Sequence, residues 1–69
     1  MSVATRPAKT LPNPGVYLVD QDFGGLFRVE AIHRKDGKTL LEIENCRNLG
    51  RCLLSPSEFR DQHFHVVER

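Results

Sequence analysis

Residues 26–46 alternate between apolar and charged side chains around a single turn signal, and this pattern constrains the fold more than any other part of the chain. Phe27 and Val29 fall on one face of the first segment, and Leu41 and Ile43 fall on one face of the second. A period of two residues is typical of a half-buried strand. The sequence therefore predicts an antiparallel hairpin within an all-β fold.

The turn between these two strands sets their register. Residues 35–37, Lys-Asp-Gly, fit a three-residue loop whose last residue adopts the left-handed conformation that Gly tolerates. This loop predicts that Ala31 faces Leu41 and that Val29 faces Ile43. A two-residue turn would instead align Glu30 with Ile43 and bring a charge onto the apolar face. We therefore predict the three-residue loop.

The following residues predict a second hairpin and a helical turn. Residues 48–50, Asn-Leu-Gly, fit another three-residue loop, which would place Cys46 opposite Cys52. Ser55-Pro56-Ser57-Glu58 then combines a favoured N-cap, a proline at the first helical position and a glutamate that completes a capping box. A short helical turn is therefore expected before a last strand over residues 63–67.

The remaining segments complete the layout. Residues 16–19 are rich in β-formers and predict the first strand, and residues 20–25 suit an irregular loop. Residues 1–13 are predicted to be a flexible N-terminal arm, because they carry two bases, no acid and no apolar periodicity. Residues 14–69 are predicted to be one small β-barrel domain.

This order resembles the SH3-like barrel over residues 15–68. The resemblance is one of layout and implies a five-stranded small barrel with one short helical turn before the last strand. It does not extend to the ligand site, because SH3 domains hold proline-rich peptides with a cluster of aromatic residues. This chain has no Trp and offers Tyr17 and Phe23 alone.

A second resemblance is to small prophage-encoded proteins of unknown function. It implies origin in a phage or another mobile element, and it implies no mechanism. The residues that carry it are Gly15, Tyr17, Val29, Cys52, Pro56, Phe59, Phe64 and Val67.

Charge and length narrow the classes of function. The 69 residues include ten basic and nine acidic side chains, for a formal net charge of +1. Dedicated polyanion-binding domains are normally clearly basic. A membrane-spanning helix needs about 20 consecutive apolar residues, and no segment approaches that length. The N-terminus lacks the apolar region of a secretory signal. We expect a cytoplasmic protein that does not bind membranes.

Two cysteines and two histidines are the one group of residues in the sequence that could ligate a metal ion. Their spacing, Cys-x5-Cys followed by His-x-His, is not a standard zinc spacing. We expect small thiols and rim histidines and predict no metal and no cofactor, with a metal site or a cross-strand disulfide as the alternatives. The residues concerned are Cys46, Cys52, His63 and His65. Since no nucleophile, base and orienting group share a pattern, we predict no enzymatic activity and no small-molecule substrate.

The leading functional hypothesis is a non-enzymatic interaction module. Strands at residues 16–19 and 64–67 are apolar on both faces and are predicted to leave exposed edges, which invite pairing with another chain. The module would bind a protein partner or itself, as an oligomer, through such an edge or an apolar patch. The predicted contact residues are Tyr17, Val19, Phe23, Ile32, Leu54 and Val67.

The alternative is a small nucleic-acid-binding barrel. Basic residues flank both predicted hairpin tips and occur in the arm, where they would contact phosphates. The predicted residues are Arg6, Lys9, Arg34, Lys35, Lys38, Arg47 and Arg51.

Overall fold

The computed structural model describes residues 4–68, and these form six β-strands and one α-helix. In chain order they are β1 (Thr5–Pro7), β2 (Tyr17–Asp20), β3 (Leu26–Lys35), β4 (Lys38–Asn45), β5 (Arg51–Leu54), α1 (Pro56–Asp61) and β6 (Phe64–Val67). The prediction of an all-β chain with one short helix before its last strand is confirmed.

The strands form a single antiparallel sheet in the order β1-β6-β2-β3-β4-β5. β1 and β5 lie at its two edges, and the sheet formed by residues 4–68 does not close between them. The structure thus corrects the predicted five strands to six, and the sheet is open where a barrel was expected.

The sixth strand lies within residues 1–13, the segment predicted to be a flexible arm, of which residues 1–3 fall outside the described part of the chain. β1 pairs with β6 from Thr5 opposite Val67 to Pro7 opposite His65. A strand of three residues is too short to display a period of two, so the sequence pattern carried no signal for it. Its ladder hydrogen bonds come from β6, about sixty residues away along the chain.

The turn between β3 and β4 contains two residues. Lys35 pairs with Lys38, and the intervening Asp36 and Gly37 have φ values of 54° and 73°. Positive φ at both central residues is the geometry of a type I′ turn, for which Asp-Gly is a preferred pair. The predicted three-residue loop was therefore wrong.

A β-bulge then restores one of the two predicted apolar pairs, Val29 with Ile43. The predicted pairing of Ala31 with Leu41 was wrong, because Leu41 pairs with Ile32. The ladder shifts by one residue between Val29 and Ala31, so Ala31 pairs with Glu42 while Val29 pairs with Ile43. The pairing of Val29 with Ile43 is confirmed, but its cause differs from the predicted one. The register is corrected by the extra residue Glu30 in the bulge and not by a longer turn.

The connection between β4 and β5 spans residues 46–50 and differs from the predicted loop. The Asn45 N–H donates to the Gly50 carbonyl (2.8 Å), and Leu49 has a φ of 62°. Cys52 consequently pairs with Ile43, and the predicted pairing of Cys46 with Cys52 was wrong. This register also turns Leu54 inward, opposite Leu41.

The start of α1 confirms the capping box. The Ser55 hydroxyl accepts the Glu58 N–H (3.2 Å), and the Ser55 N–H donates to the Glu58 carboxylate (2.9 Å). Pro56 occupies the first helical position, where its missing N–H costs nothing. The cap fixes where the chain leaves β5 and turns back toward β6.

The hydrophobic core lies between α1 and the inner face of the sheet. Phe59 of α1 stacks on Phe64 of β6, with ring centroids 5.3 Å apart, and Phe27 meets Phe64 edge-on at 5.6 Å. The buried apolar side chains are Leu18, Val29, Leu41, Ile43, Leu54, Phe59 and Phe64. The opposite face of β3, β4 and β5 is called the outer face below.

Candidate functional site

β5 forms one free edge of the sheet. It pairs with β4 on one side, and among the described residues no strand pairs with its other side. The Asn45 N–H points toward β5 and reaches the Gly50 carbonyl. Since backbone groups alternate along an antiparallel ladder, Cys52 faces β4, and the N–H and carbonyl groups of Arg51 and Leu53 face outward.

The side chains of β5 make this edge partly apolar. Leu53 is 52% exposed on the outer face, whereas Leu54 is only 7% exposed on the inner face. Cys52 is exposed on the inner side and is a free thiol. A second extended chain placed along β5 would therefore meet both backbone hydrogen-bonding groups and an apolar side chain.

The other edge is protected. β1 contains three residues, carries the charged Arg6 and ends at Pro7, which has no N–H to offer. Short length, charge and proline are the usual devices that stop an edge from pairing. Of the two edges, β5 is the one open to strand addition.

The outer face carries a cluster of three carboxylates around one guanidinium. Arg51 donates to Glu42 (2.7 Å) and to Glu44 (3.0 Å), and Glu30 lies 3.8 Å away. His33 Nε2 donates to the other oxygen of Glu42 at 2.7 Å. The three glutamate side chains are each less than one-fifth exposed, so the cluster is half-buried against the sheet.

The cluster shifts the pKa of Glu42 and of Arg51 in opposite directions. Hydrogen bonds from His33 and then Arg51 hold the pKa of Glu42 below its ordinary value. Hydrogen bonds to Glu42 and Glu44 raise the pKa of Arg51. Both shifts favour the charged forms of Glu42 and Arg51.

The β3–β4 hairpin extends past its neighbours and ends in a basic tip. β2 pairs with β3 only over residues 26–28, and β5 pairs with β4 only over residues 41–44. Arg34, Lys35 and Lys38 are exposed at the tip. Within residues 4–68 they make no ion pair, and Lys35 lies directly opposite Lys38.

A shallow cleft lies at the other end of the sheet, between the β2–β3 and β4–β5 connections. Its volume is about 450 Å³, and Phe23, Leu26 and Arg47 contribute to its lining. Phe23 is 89% exposed, and its loop is held by Asp20, which accepts the N–H groups of Asp22 (2.9 Å) and Phe23 (3.2 Å).

The predicted protein-binding residues do not form one surface. Leu54 lies in the hydrophobic core and Ile32 packs against that core, so neither side chain is exposed for contact with a partner. Phe23 is exposed in the loop that follows the Asp20 end of β2, whereas Val67 lies beside the other end of that strand. Tyr17, Val19 and Val67 are half-buried within the sheet.

The strands predicted to be exposed edges are internal. β2 lies between β6 and β3, and β6 lies between β1 and β2. The prediction treated both as edges because they are near the ends of the chain. It missed that β1 covers β6, and it missed Leu53, whose exposure follows from the register of β5 and not from its residue type.

The predicted phosphate-binding residues divide into separate groups. Arg6 pairs with Glu68, and Arg51 is held by three glutamates, so neither presents a free charge. The tip holds the residues just described, Arg34, Lys35 and Lys38. Lys9 and Arg47 are exposed elsewhere, Arg47 in the β4–β5 connection at the opposite end of the sheet.

The cysteines and histidines are not brought together. Cys52 lies on β5, His65 lies on β6 and contacts Thr5 (3.3 Å), and His63 contacts Asp22 (3.1 Å). No group of three or more potential metal ligands occurs within residues 4–68. Burial, and then the nearby Glu58, raise the pKa of the Cys52 thiol, which is opposite to the shift that activates a nucleophilic cysteine.

Among the described residues, no helix combines the length and apolar character that crossing a bilayer requires. Comparison of the chain with protein-family models, with curated protein sequences and with solved structures gave no match.

Proposed function

We propose that this chain is a non-enzymatic interaction module that binds an extended segment of a partner protein along the free edge of β5. The observation that carries the proposal is the open edge itself, with the backbone groups of Arg51 and Leu53 directed outward. Strand addition uses such groups for affinity and adjacent side chains for specificity.

The side chains around β5 indicate which segments fit. Leu53 gives an added strand an apolar neighbour on the outer face, and Cys52 gives it a small one on the inner face. Arg51 is already held by three glutamates and offers no free charge. The preferred segment is therefore extended and apolar beside Leu53, with no requirement for an acidic residue.

A proline at position 53 tests this proposal. Leu53→Pro removes the outward N–H while leaving the β4 ladder its hydrogen bonds, because Leu53 does not donate to β4. Leu53→Thr is the matched control, since it loses the apolar side chain and keeps both the N–H and β propensity.

The measurement uses a displayed library of random seven-residue peptides, with circular dichroism as the check on folding. Selected peptides should bind the natural chain, bind Leu53→Thr more weakly and fail to bind folded Leu53→Pro. In NMR titrations the amides of Arg51 and Leu53 should shift most. Peptides that bind Leu53→Pro equally well, or that shift residues elsewhere, would contradict strand addition at β5.

The proposal also includes the SH3-like fold, the cellular location and the origin of the chain. The order β6-β2-β3-β4-β5, with α1 between the last two strands in sequence, supports an SH3-like layout to which β1 is added. The thiols of Cys46 and Cys52 are free, the usual state in a reducing compartment, which supports a cytoplasmic location. Origin in a phage or mobile element remains a prediction from the sequence resemblance.

Nucleic-acid binding at the hairpin tip is a second candidate, favoured by the three exposed basic residues that project there. Arg34, Lys35 and Lys38 would contact phosphates, with an affinity that falls as salt rises. The test is fluorescence anisotropy with single-stranded and duplex oligonucleotides at low salt. Lys35→Gln/Lys38→Gln should lose binding, whereas Arg60→Gln on α1 should retain it. Absence of binding to either oligonucleotide would exclude this candidate.

A further inference from the structure

The outer face of β4 presents a short, ordered sequence of side chains. Every second residue points outward, and these are Lys38, Leu40, Glu42 and Glu44. Leu40 is 36% exposed. On the same face, the basic Lys38 lies two positions before it and the acidic Glu42 lies two positions after it. The distance from Leu40 to each is the same, about 7 Å along an extended strand.

The two halves of this face carry net charges of opposite sign. At the tip, Lys35 and Lys38 form a cross-strand pair with two positive charges. At the other half, the carboxylates of Glu30, Glu42 and Glu44 surround the guanidinium of Arg51. The exposed Arg28 lies opposite Glu44 on the same face, so this half carries one net negative charge.

We infer that the partner of the outer face is a second copy of this chain, which packs face to face with its strands antiparallel to the first. A two-fold axis at Leu40 would place the two Leu40 side chains against each other. Each Lys38 would then lie over Glu42 of the second copy. Both copies thus use the same surface for the contact, as an isologous interface requires.

The apolar centre and the charged ends have different roles in this dimer. Burial of the two Leu40 side chains supplies the attraction. The two Lys38–Glu42 contacts fix the antiparallel direction of the two β4 strands. If one copy were turned by 180° about the normal to the sheet, Lys38 would lie over Lys38. The interface closes at two copies, so no larger assembly is expected.

This dimer does not depend on the binding of a partner to β5. The outer face and the edge are different surfaces of the same sheet, and the peptide experiment above can fail while the dimer forms. The reverse also holds, because Leu53→Pro is not expected to alter the Lys38–Glu42 contacts.

Sedimentation equilibrium is the first test. The natural chain should show a monomer–dimer equilibrium at low salt. Raising the salt from about 0.1 M to about 1 M shortens the screening length from about 10 Å to about 3 Å. Loss of two exposed ion pairs should then raise the dissociation constant by about tenfold. A single monomeric species at every protein concentration would overturn the inference.

Charge reversal at the two positions provides the sharper test. Lys38→Glu alone places a second carboxylate over Glu42, and Glu42→Lys alone places two lysines together, so each variant should dimerise at least about tenfold more weakly. An equimolar mixture of the two variants satisfies both contacts and should restore the natural dissociation constant. Arg60→Glu, which makes the same change of charge on α1, should leave it unaltered.

Two results would overturn the pairing: a mixture that stays monomeric, or Arg60→Glu weakening the dimer as much as Lys38→Glu. Because Glu42 also accepts hydrogen bonds from His33 and Arg51, each variant is first checked by circular dichroism. If Glu42→Lys does not fold, Leu40→Cys in a background with both natural cysteines replaced by serine provides the test. A short bis-maleimide should link the two copies at Leu40→Cys and not at Thr39→Cys, and absence of that link would refute the axis.

Discussion

Val29 and Ile43 lie directly opposite each other because β3 bulges between Val29 and Ala31. Both side chains are buried, and the bulge removes Glu30 from the ladder and directs it toward Arg51, 3.8 Å away. The bulge therefore reconciles a two-residue turn at the tip with a continuous apolar face at the base of the hairpin.

Deletion of Glu30 tests the role of this bulge. With Glu30 removed, Ala31 still pairs with Glu42 and Val29 still pairs with Ile43, so the ladder becomes regular and every side chain keeps its face. We expect a folded chain with an unfolding midpoint close to the natural one. Cross-strand nuclear Overhauser contacts between residues 29 and 43 would confirm the pairing.

Deletion of Arg28 is the matched control. It removes one residue from the regular ladder, so Phe27 and Leu26 exchange faces against β2. This variant should lose its cooperative transition. If both deletions are tolerated equally, the bulge does not set the register.

The hairpin shows which features of the fold were predictable. The alternation around residues 36–37 identified the strands and the buried pair, because side-chain faces follow directly from a period of two. The turn type was missed because two correct preferences conflict. The Asp-Gly pair favours a two-residue turn, whereas the alignment of Val29 with Ile43 favours a loop that is one residue longer. Nothing distinguishes Glu30 in sequence from other outward charged residues, so the bulge that resolves the disagreement was not visible.

The edges of the sheet were missed for a different reason. β1 pairs with β6 across nearly the whole length of the chain, and such long-range pairing leaves no mark on local composition. The same limit applies to Arg51, whose three carboxylate neighbours lie on β3 and β4. By contrast, the capping box at Ser55 was predicted in full, because all its atoms lie within four consecutive residues.

The two most different phenylalanines provide a test of the core. Phe59 is almost fully buried and stacks on Phe64, whereas Phe23 is 89% exposed. Phe59→Ala should cost about 3–5 kcal/mol, which is most of the stability of a domain this small. Phe23→Ala should change the free energy of unfolding by less than about 0.5 kcal/mol. Denaturant unfolding measures both, and similar losses at the two positions would contradict the assigned core.

The cap of α1 predicts a loss of stability in acid. Ser55→Ala should destabilise the fold by about 1 kcal/mol, because the Glu58 N–H loses its acceptor, whereas Arg60→Ala in the same helix should not. Hydrogen bonds from Ser55 hold the pKa of Glu58 below its ordinary value. A lowered folded-state pKa contributes stability above the unfolded pKa, and this is lost as the pH falls through the folded pKa.

Glu58→Gln separates the titration of the cap from its hydrogen bonds. The amide oxygen still accepts the Ser55 N–H, so the fold should remain stable at neutral pH. Because Gln does not titrate, the acid-induced fall in unfolding midpoint should be smaller than in the natural chain. An unchanged pH profile would show that the cap carboxylate does not contribute to it.

Glu42 provides the corresponding prediction for the outer face. Its pKa is lowered first by the hydrogen bond from His33 and next by that from Arg51, so His33→Phe and Arg51→Met should each raise it toward the ordinary value. Carboxyl NMR titration measures this directly, and Glu58, which is held by Ser55, is the internal control that should not move. The sign is again that of a lowered carboxyl pKa: the contribution is present above the unfolded pKa and is lost in acid. A Glu42 pKa that is unaltered in both variants would mean that His33 and Arg51 do not hold this carboxylate in solution.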